Sequence, residues 1–90
     1  MRSPPEQVVK HAIRLDILCC LVDGQSLALA QLSGRIGRPP REMGYHVKLL
    51  ESHELIAKTG AKVGEQPLYD STLDEHEDWV REAVEEHRRN

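Results

Sequence analysis

The segment Gly37-Arg38-Pro39-Pro40 interrupts the helical spacing of apolar residues and most constrains how this chain can fold. Apolar residues recur every three or four positions on both sides of this break: Leu29, Leu32 and Ile36 before it, Met43, Val47 and Leu50 after it. Glycine ends helices in the left-handed conformation, and proline suits the first turn of the next helix. Two helices joined by so short a turn predict a helix-turn-helix from residue 26 to about residue 53.

The segments around this pair predict a complete small domain. Residues 5–23 carry apolar side chains at helical spacing, as one helix or two. Residues 55–59 and 68–72 indicate short strands around a turn at 60–66, and the chain is again helical from residue 73. We predict one mainly α domain over residues 1–90, a winged helix-turn-helix of order α-α-α-β-β-α. Its β-hairpin wing spans about 55–72 and its C-terminal helix about 73–89.

Composition excludes several classes of protein. The longest apolar run, residues 17–22, is too short to cross a bilayer, and the N-terminus lacks the apolar stretch of a secretory signal. We therefore expect a cytoplasmic protein without a membrane partner. One Trp, two Tyr and no Phe offer few platforms for stacking single-stranded bases. The adjacent Cys19 and Cys20 cannot join distant segments, and in an apolar run they are expected to act as small hydrophobic residues.

No pattern in the sequence favours catalysis. There is no nucleophile–base pair and no glycine-rich phosphate loop, so we expect no enzyme. The net charge of −3 hides an asymmetry, because residues 1–62 hold nine Lys/Arg against six Asp/Glu and residues 63–90 hold three against nine. A basic front half with an acidic tail is compatible with a nucleic-acid-binding face, and also with chance.

An ordered set of residues resembles the ArsR-type winged-helix transcriptional regulators. The stretches HAIRLDILCCLVDG, LALAQLSGRIGRPPREMGYHVKLLESHELI and GEQPLYDST carry the resemblance from about residue 8 to residue 72. The matching positions are His11, Ile13, Arg14, Tyr45, His46, Val47, Leu50, Leu55, Ile56, Gly64 and Tyr69. The sequence departs from the family at Arg38, at Pro39 in place of a Ser/Thr cap, and at Glu54 in place of a glycine. The resemblance implies a dimeric regulator, such as a repressor, that binds duplex DNA.

The predicted DNA-binding residues lie mainly on the second helix of the pair. At 100° per residue one side of it carries Arg41, Tyr45, Lys48 and Ser52. Arg41 suits the O6 and N7 acceptors of guanine, whereas Lys48 and Tyr45 suit phosphate. Arg35 and Arg38 add charge at the turn, and Lys58 and Lys62 add charge on the wing. We expect His46, on the flank of the buried stripe, to pack within the domain.

Two alternatives to DNA binding stay open, and a protein partner is also expected. The charged side could be an ordinary solvated helix face, and a winged helix can serve as a protein-interaction module without binding DNA. The expected partner besides DNA is a second copy of the chain, bound through the apolar face of the last helix with Val8 and Val9 of the first.

The resemblance also suggests a zinc site. Zinc sensors of the ArsR type carry Asp-x-His, ten residues, then His-x-x-Glu or His on the final helix, and this chain has Asp74, His76, His87 and then Asn90. On one continuous helix His76 and His87 would share a face about 16 Å apart, so only an antiparallel partner helix could complete the site. The alternative is an acidic, solvated helix whose histidines flank a dimer seam, with no cofactor.

Overall fold

The order of helices and strands confirms the predicted winged-helix fold class. A computed structural model describes residues 5–22, 25–73 and 76–89. Within them the chain forms α1 (Glu6–Val9), α2 (Ala12–Leu21), α3 (Leu29–Ile36), α4 (Pro40–Ser52), β1 (Ile56–Val63), β2 (Gln66–Ser71) and α5 (Asp78–Arg89). The first helical stretch is therefore two helices. They separate where His11 caps α2, because its Nδ1 accepts a hydrogen bond from the Ile13 amide at 3.3 Å.

The helix-turn-helix forms where the sequence predicts it, but α3 starts later. It begins at Leu29 instead of residue 26 because Leu27 pairs with Tyr69, exchanging backbone hydrogen bonds of 3.1 and 2.9 Å. α3 ends at Ile36 and is capped by Gly37, whose φ of 79° is left-handed, and α4 begins at Pro40. The turn thus follows the local preferences of glycine and proline.

The wing lies where the sequence predicts it, but its two strands are longer than predicted. β1 and β2 pair antiparallel from Ile56 with Ser71 to Val63 with Gln66, so the strands take up most of the segment predicted as a turn. The register shifts between Lys58 and Lys62, and Gly60 adopts a φ of 92° within this irregularity. A bulge of this kind adds length to one strand and bends the ribbon.

The last helix starts later than predicted. The sequence suggested a helix from residue 73, but α5 begins at Asp78. His76 lies before it and is buried, with Nε2 2.7 Å from the Glu54 carbonyl oxygen. A tertiary contact thus fixes His76, which the sequence placed within the helix.

The core is centred on α2. This helix contacts α1, α3, α4, α5 and β2, and its Ile17, Leu18 and Leu21 are fully buried. Val8 and Val9 from α1 and Val80 and Val84 from α5 belong to the same cluster. No helix in the described ranges is long and apolar enough to cross a membrane.

Glu54 ends α4 in a strained conformation. Its φ is 61°, and the Leu55 amide bonds the Leu50 carbonyl at 3.0 Å, as in a Schellman motif whose left-handed residue is usually glycine. Glu54 therefore adopts the left-handed conformation at the position where the resemblance places a glycine.

We expect Glu54→Gly to stabilise the domain by about 0.5–1 kcal/mol. The left-handed conformation costs a non-glycine residue roughly 1–2 kcal/mol, and the greater freedom of unfolded glycine offsets part of the gain. Urea unfolding measures the change. The matched control, Glu51→Gly inside α4, should lose roughly 0.5–1 kcal/mol. A Glu54→Gly protein no more stable than its parent would contradict the prediction.

Candidate nucleic-acid interface

The outward face of α4 carries polar side chains because its opposite face is buried. Met43 and Leu50 are inaccessible to solvent and Val47 is nearly so. On the other side Arg41, Tyr45 and Lys48 are exposed, Tyr45 by 62%. The helical periodicity of the sequence therefore assigns the two faces correctly.

All eight predicted DNA-binding residues are exposed, but the structure does not place them in one row. Arg41, Tyr45, Lys48 and Ser52 lie on α4, whereas Arg35 lies in the last turn of α3, Arg38 lies in the turn, and Lys58 and Lys62 lie on β1. Ser52, at the far end of α4, donates its hydroxyl hydrogen to the Leu49 carbonyl at 2.8 Å. Its Oγ therefore keeps only acceptor capacity.

The cations of this surface fall into two groups. Arg35 donates to the Gln25 side chain at 2.7 Å, and Arg38 lies 3.9 Å from the Glu42 carboxylate. In the part of the chain that the structure describes, the side chains of the other four have neither an ion pair nor a hydrogen bond: Arg41, Lys48, Lys58 and Lys62. These four side chains could therefore bind phosphates or base edges without first breaking an ion pair.

The wing is held against the start of α3. The Gln66 side-chain oxygen accepts a hydrogen bond of 3.2 Å from the Ala30 amide, one of the free donors of the first turn. Next to it Val63 is 51% exposed at the end of β1. Sequence reasoning missed both residues, because neither the strand length nor this cross-contact has a local signal.

A buried polar network lies directly beneath α4. Arg14 is only 9% exposed and donates from Nε to His46 Nδ1 at 3.1 Å. Its Nη1 donates to the carbonyls of Gln7 and Val8, each at 3.2 Å. Within the described chain no carboxylate pairs with Arg14, so carbonyls and a neutral imidazole solvate its charge.

His46 packs inside the domain, as predicted. It is 5% exposed, and its ring lies 4.8 Å from the His11 ring and 5.2 Å from the Tyr45 ring, centre to centre. Burial, then the charge of Arg14, then His11 lower the pKa of His46 below its ordinary value of 6.5. The network connects α1, α2 and α4. The signal that sequence reasoning passed over is an arginine beside Ile13 and Ile17 on an apolar helix face.

The suggested zinc ligands do not share a helix face. Asp74 and Asn90 lie outside the described residues. His76 precedes α5 and is buried against the Glu54 carbonyl, whereas His87 bonds Asp16 of α2 at 2.6 Å. The premise that His76 and His87 align on one helix is therefore wrong. Among the described residues no group of three or more His, Cys, Asp or Glu is arranged to hold a metal ion.

The two cysteines are half-buried between α2 and its neighbours. The Cys19 thiol points to the Val84 carbonyl, with an Sγ–O distance of 3.7 Å. Burial raises the pKa of Cys19 from 9.0 to about 11, and it also raises the pKa of Cys20.

We expect Cys19 to react with Ellman's reagent at about pH 8 roughly tenfold more slowly than an unhindered thiol. A pKa near 11 leaves about a hundredfold less thiolate than one of 9.0, and the greater nucleophilicity of the more basic thiolate restores about a factor of ten. Stopped-flow absorbance of a Cys20→Ser protein measures the rate. The same protein in denaturant is the control, and equal rates in the two states would contradict the prediction.

Comparison with known proteins identifies the fold. No protein-family model matches the chain, and no curated protein matches it. Reduced HlyU from Vibrio cholerae N16961 superposes with a TM-score of 0.70 at 23% identity, over 92% of this chain and 80% of that one. The transcriptional repressor BigR from Xylella fastidiosa gives 0.66 at 20% identity, over 89% and 72%. The fold is that of winged-helix regulators.

One of the similar structures holds nucleic acid. Lactococcus lactis ZitR, solved in complex with DNA, matches with a TM-score of 0.66 at 19% identity, over 87% of this chain and half of the ZitR chain. The resemblance to ArsR-type regulators is thus confirmed at the level of the fold.

Proposed function

We propose that this chain is a sequence-specific DNA-binding transcriptional regulator that acts as a repressor and inserts α4 into the major groove. The observation that carries the proposal is the outward face of α4, which follows a short turn from α3. Among the described residues, Arg41 and Lys48 on this face have no ionic partner. A helix so placed meets bases with its N-terminal residues and phosphates with the rest. Arg41 lies in the first turn and Lys48 two turns later, which suits these two tasks.

The net negative charge does not oppose this proposal. Four acidic residues of the tail, Asp78, Glu82, Glu85 and Glu86, lie on α5, which packs against α2. In the described chain, the cations without an ionic or hydrogen-bonded side-chain partner lie on α4 and β1. A local basic surface is what a phosphate backbone meets. The structural similarity to DNA-bound ZitR and to the repressor BigR supports the same function. We place such a regulator in the cytoplasm, as the sequence led us to expect.

Selection from a random duplex library tests the proposal. We expect an enriched motif, and affinity for it that falls steeply with salt. If Lys48, Lys58 and Lys62 each contact a phosphate, log K should fall with log salt concentration with a slope of about −3 per chain. No enrichment, together with retention on a heparin column that does not depend on salt, would instead favour a protein-interaction module.

We further propose that the chain binds DNA as a homodimer, through only part of the face first expected. Val8, Val9, Val80 and Val84 are all buried in the core of one chain, so they cannot also form an interface. Between α2 and α5 a groove of about 320 Å³ stays open, lined by Lys10, Leu15, Ala83, Glu86 and His87. Its half-buried apolar floor, Leu15 and Ala83, is the proposed seam.

Light scattering at tens of micromolar protein, with and without a two-site duplex, tests the dimer. We expect Ala83→Arg to abolish association and to leave single-site binding intact, since Ala83 is outside the fully buried core. A parent that stays monomeric both alone and on DNA would rule out the homodimer.

A further inference from the structure

We propose that His46 makes DNA binding proton-sensitive: its protonation releases α4 from the helices beneath it and lowers the affinity of the chain for its site. The proposal concerns the regulation of the DNA-binding surface and rests on the proposed function. It rests on a cluster of three side chains that can each carry a positive charge and that pack together beneath α4: Arg14, His11 and His46.

The hydrogen bonds of this cluster require neutral imidazoles. His46 Nδ1 accepts from Arg14 Nε, and His11 Nδ1 accepts from the Ile13 amide. A proton on either Nδ1 would turn that acceptor into a donor, and two N–H groups would then face each other. Arg14 is always charged and is held in place by two backbone carbonyls, so it cannot turn away without leaving those carbonyls unpaired.

The charges around His46 offer a proton little compensation. On the α2 side it faces Arg14 and His11, both of which disfavour a second positive charge. On the α4 side it faces Arg38, which also disfavours it, and Glu42, which favours it. The Glu42 carboxylate lies 3.9 Å from the Arg38 guanidinium, so its charge is already partly engaged.

The direction of the pH effect follows from comparing α4 docked on the helices beneath it with α4 released from them. Burial, Arg14 and His11 hold the pKa of docked His46 below 6.5, and a released, solvated His46 would return to about that value. As the pH falls below 6.5 the released state therefore binds protons first, and docking becomes weaker. Because His46 is buried beside Tyr45 on α4, its displacement disturbs the surface that carries Tyr45 and Lys48.

This effect has the opposite sign to simple electrostatics. Acidification makes the chain more positive, and phosphates attract exposed protonated histidines, so charge alone predicts tighter DNA binding in acid. Weaker binding in acid thus distinguishes a buried, docking-dependent imidazole from the remaining titrating groups.

The test measures the dissociation constant for the selected duplex between about pH 7.5 and 4.5 at constant ionic strength. Three proteins are compared: the parent, His46→Asn, whose side-chain oxygen replaces the Nδ1 acceptor, and His53→Asn at the end of α4 as matched control. For the parent and the control we expect the dissociation constant to rise about tenfold per pH unit below the pKa of His46. His46→Asn should bind in acid at least as tightly as at neutral pH.

A second measurement on the unmodified protein removes any dependence on how the variant folds. The imidazole signals of His46, followed by NMR, should titrate at the same pH at which affinity begins to fall. The inference is overturned if the affinity of the parent for DNA rises steadily on acidification, or if His46→Asn loses as much affinity in acid as the parent does. It is also overturned if His46 titrates by NMR at a different pH from that at which affinity begins to fall. Absence of sequence-specific binding at every pH would instead refute the proposed function.

Discussion

Arg41→Ala should remove base discrimination, whereas Lys48→Ala should weaken binding to every duplex alike. Arg41 is exposed in the first turn of α4, and its guanidinium can donate two hydrogen bonds to one guanine. Losing such a pair costs about 1–3 kcal/mol, roughly 5- to 150-fold in affinity for the preferred site. Binding to unrelated duplexes should change much less.

Lys48 lies farther along α4, where a helix in the groove meets the backbone. Its replacement by alanine should reduce affinity for preferred and unrelated duplexes by the same factor and make the salt slope less steep by about one. Fluorescence anisotropy on both duplexes at several salt concentrations separates the two effects.

Glu82→Ala on α5 is the matched control for these variants, since it removes an exposed charge from another helix. It should leave specificity unchanged. If Arg41→Ala and Lys48→Ala both fold and bind like the parent, α4 is not the recognition helix.

The helix-turn-helix could be predicted because its signals are local. The left-handed Gly37 and the proline at the start of α4 act through their own backbone preferences, so no distant partner is needed to fix the turn. The exposed face of α4 followed for a similar reason, since helical periodicity assigns each position to core or solvent. The i, i+4 spacing of Arg38 and Glu42 also makes their proximity foreseeable.

The first residues of α3 and α5 were predicted wrongly, because distant contacts determine them. α3 begins late because Leu27 pairs with Tyr69, and α5 begins late because His76 bonds the Glu54 carbonyl. Each partner is more than 20 residues away, so a pattern read in a short window cannot show it. The four valines expected at the dimer seam are buried within their own chain for a related reason. An apolar stripe indicates burial, but it does not indicate whether the same chain or a second chain covers it.

Arg14 enters the sequence analysis only through the family resemblance, whereas the structure shows its side chain buried and hydrogen-bonded. We expect Arg14→Ala to destabilise the domain by about 3 kcal/mol. The side chain is buried and makes three hydrogen bonds, so its removal leaves the Gln7 and Val8 carbonyls and His46 Nδ1 without a donor. Each unpaired buried group costs roughly 1–3 kcal/mol, reduced where water can enter. In a domain of this size a loss of 3 kcal/mol lowers Tm by roughly 12–24 °C.

Two further variants separate the hydrogen bonds of Arg14 from its charge. Arg14→Lys keeps the charge but has no planar fork to reach three acceptors at once, so it should lose about half as much stability as Arg14→Ala. Arg41→Ala, which removes an exposed arginine, should stay within about 0.5 kcal/mol of the parent. Thermal and urea unfolding followed by circular dichroism measure all three. If Arg14→Ala proves as stable as Arg41→Ala, the buried network does not hold α4 against α1 and α2, because breaking it would then cost the fold nothing.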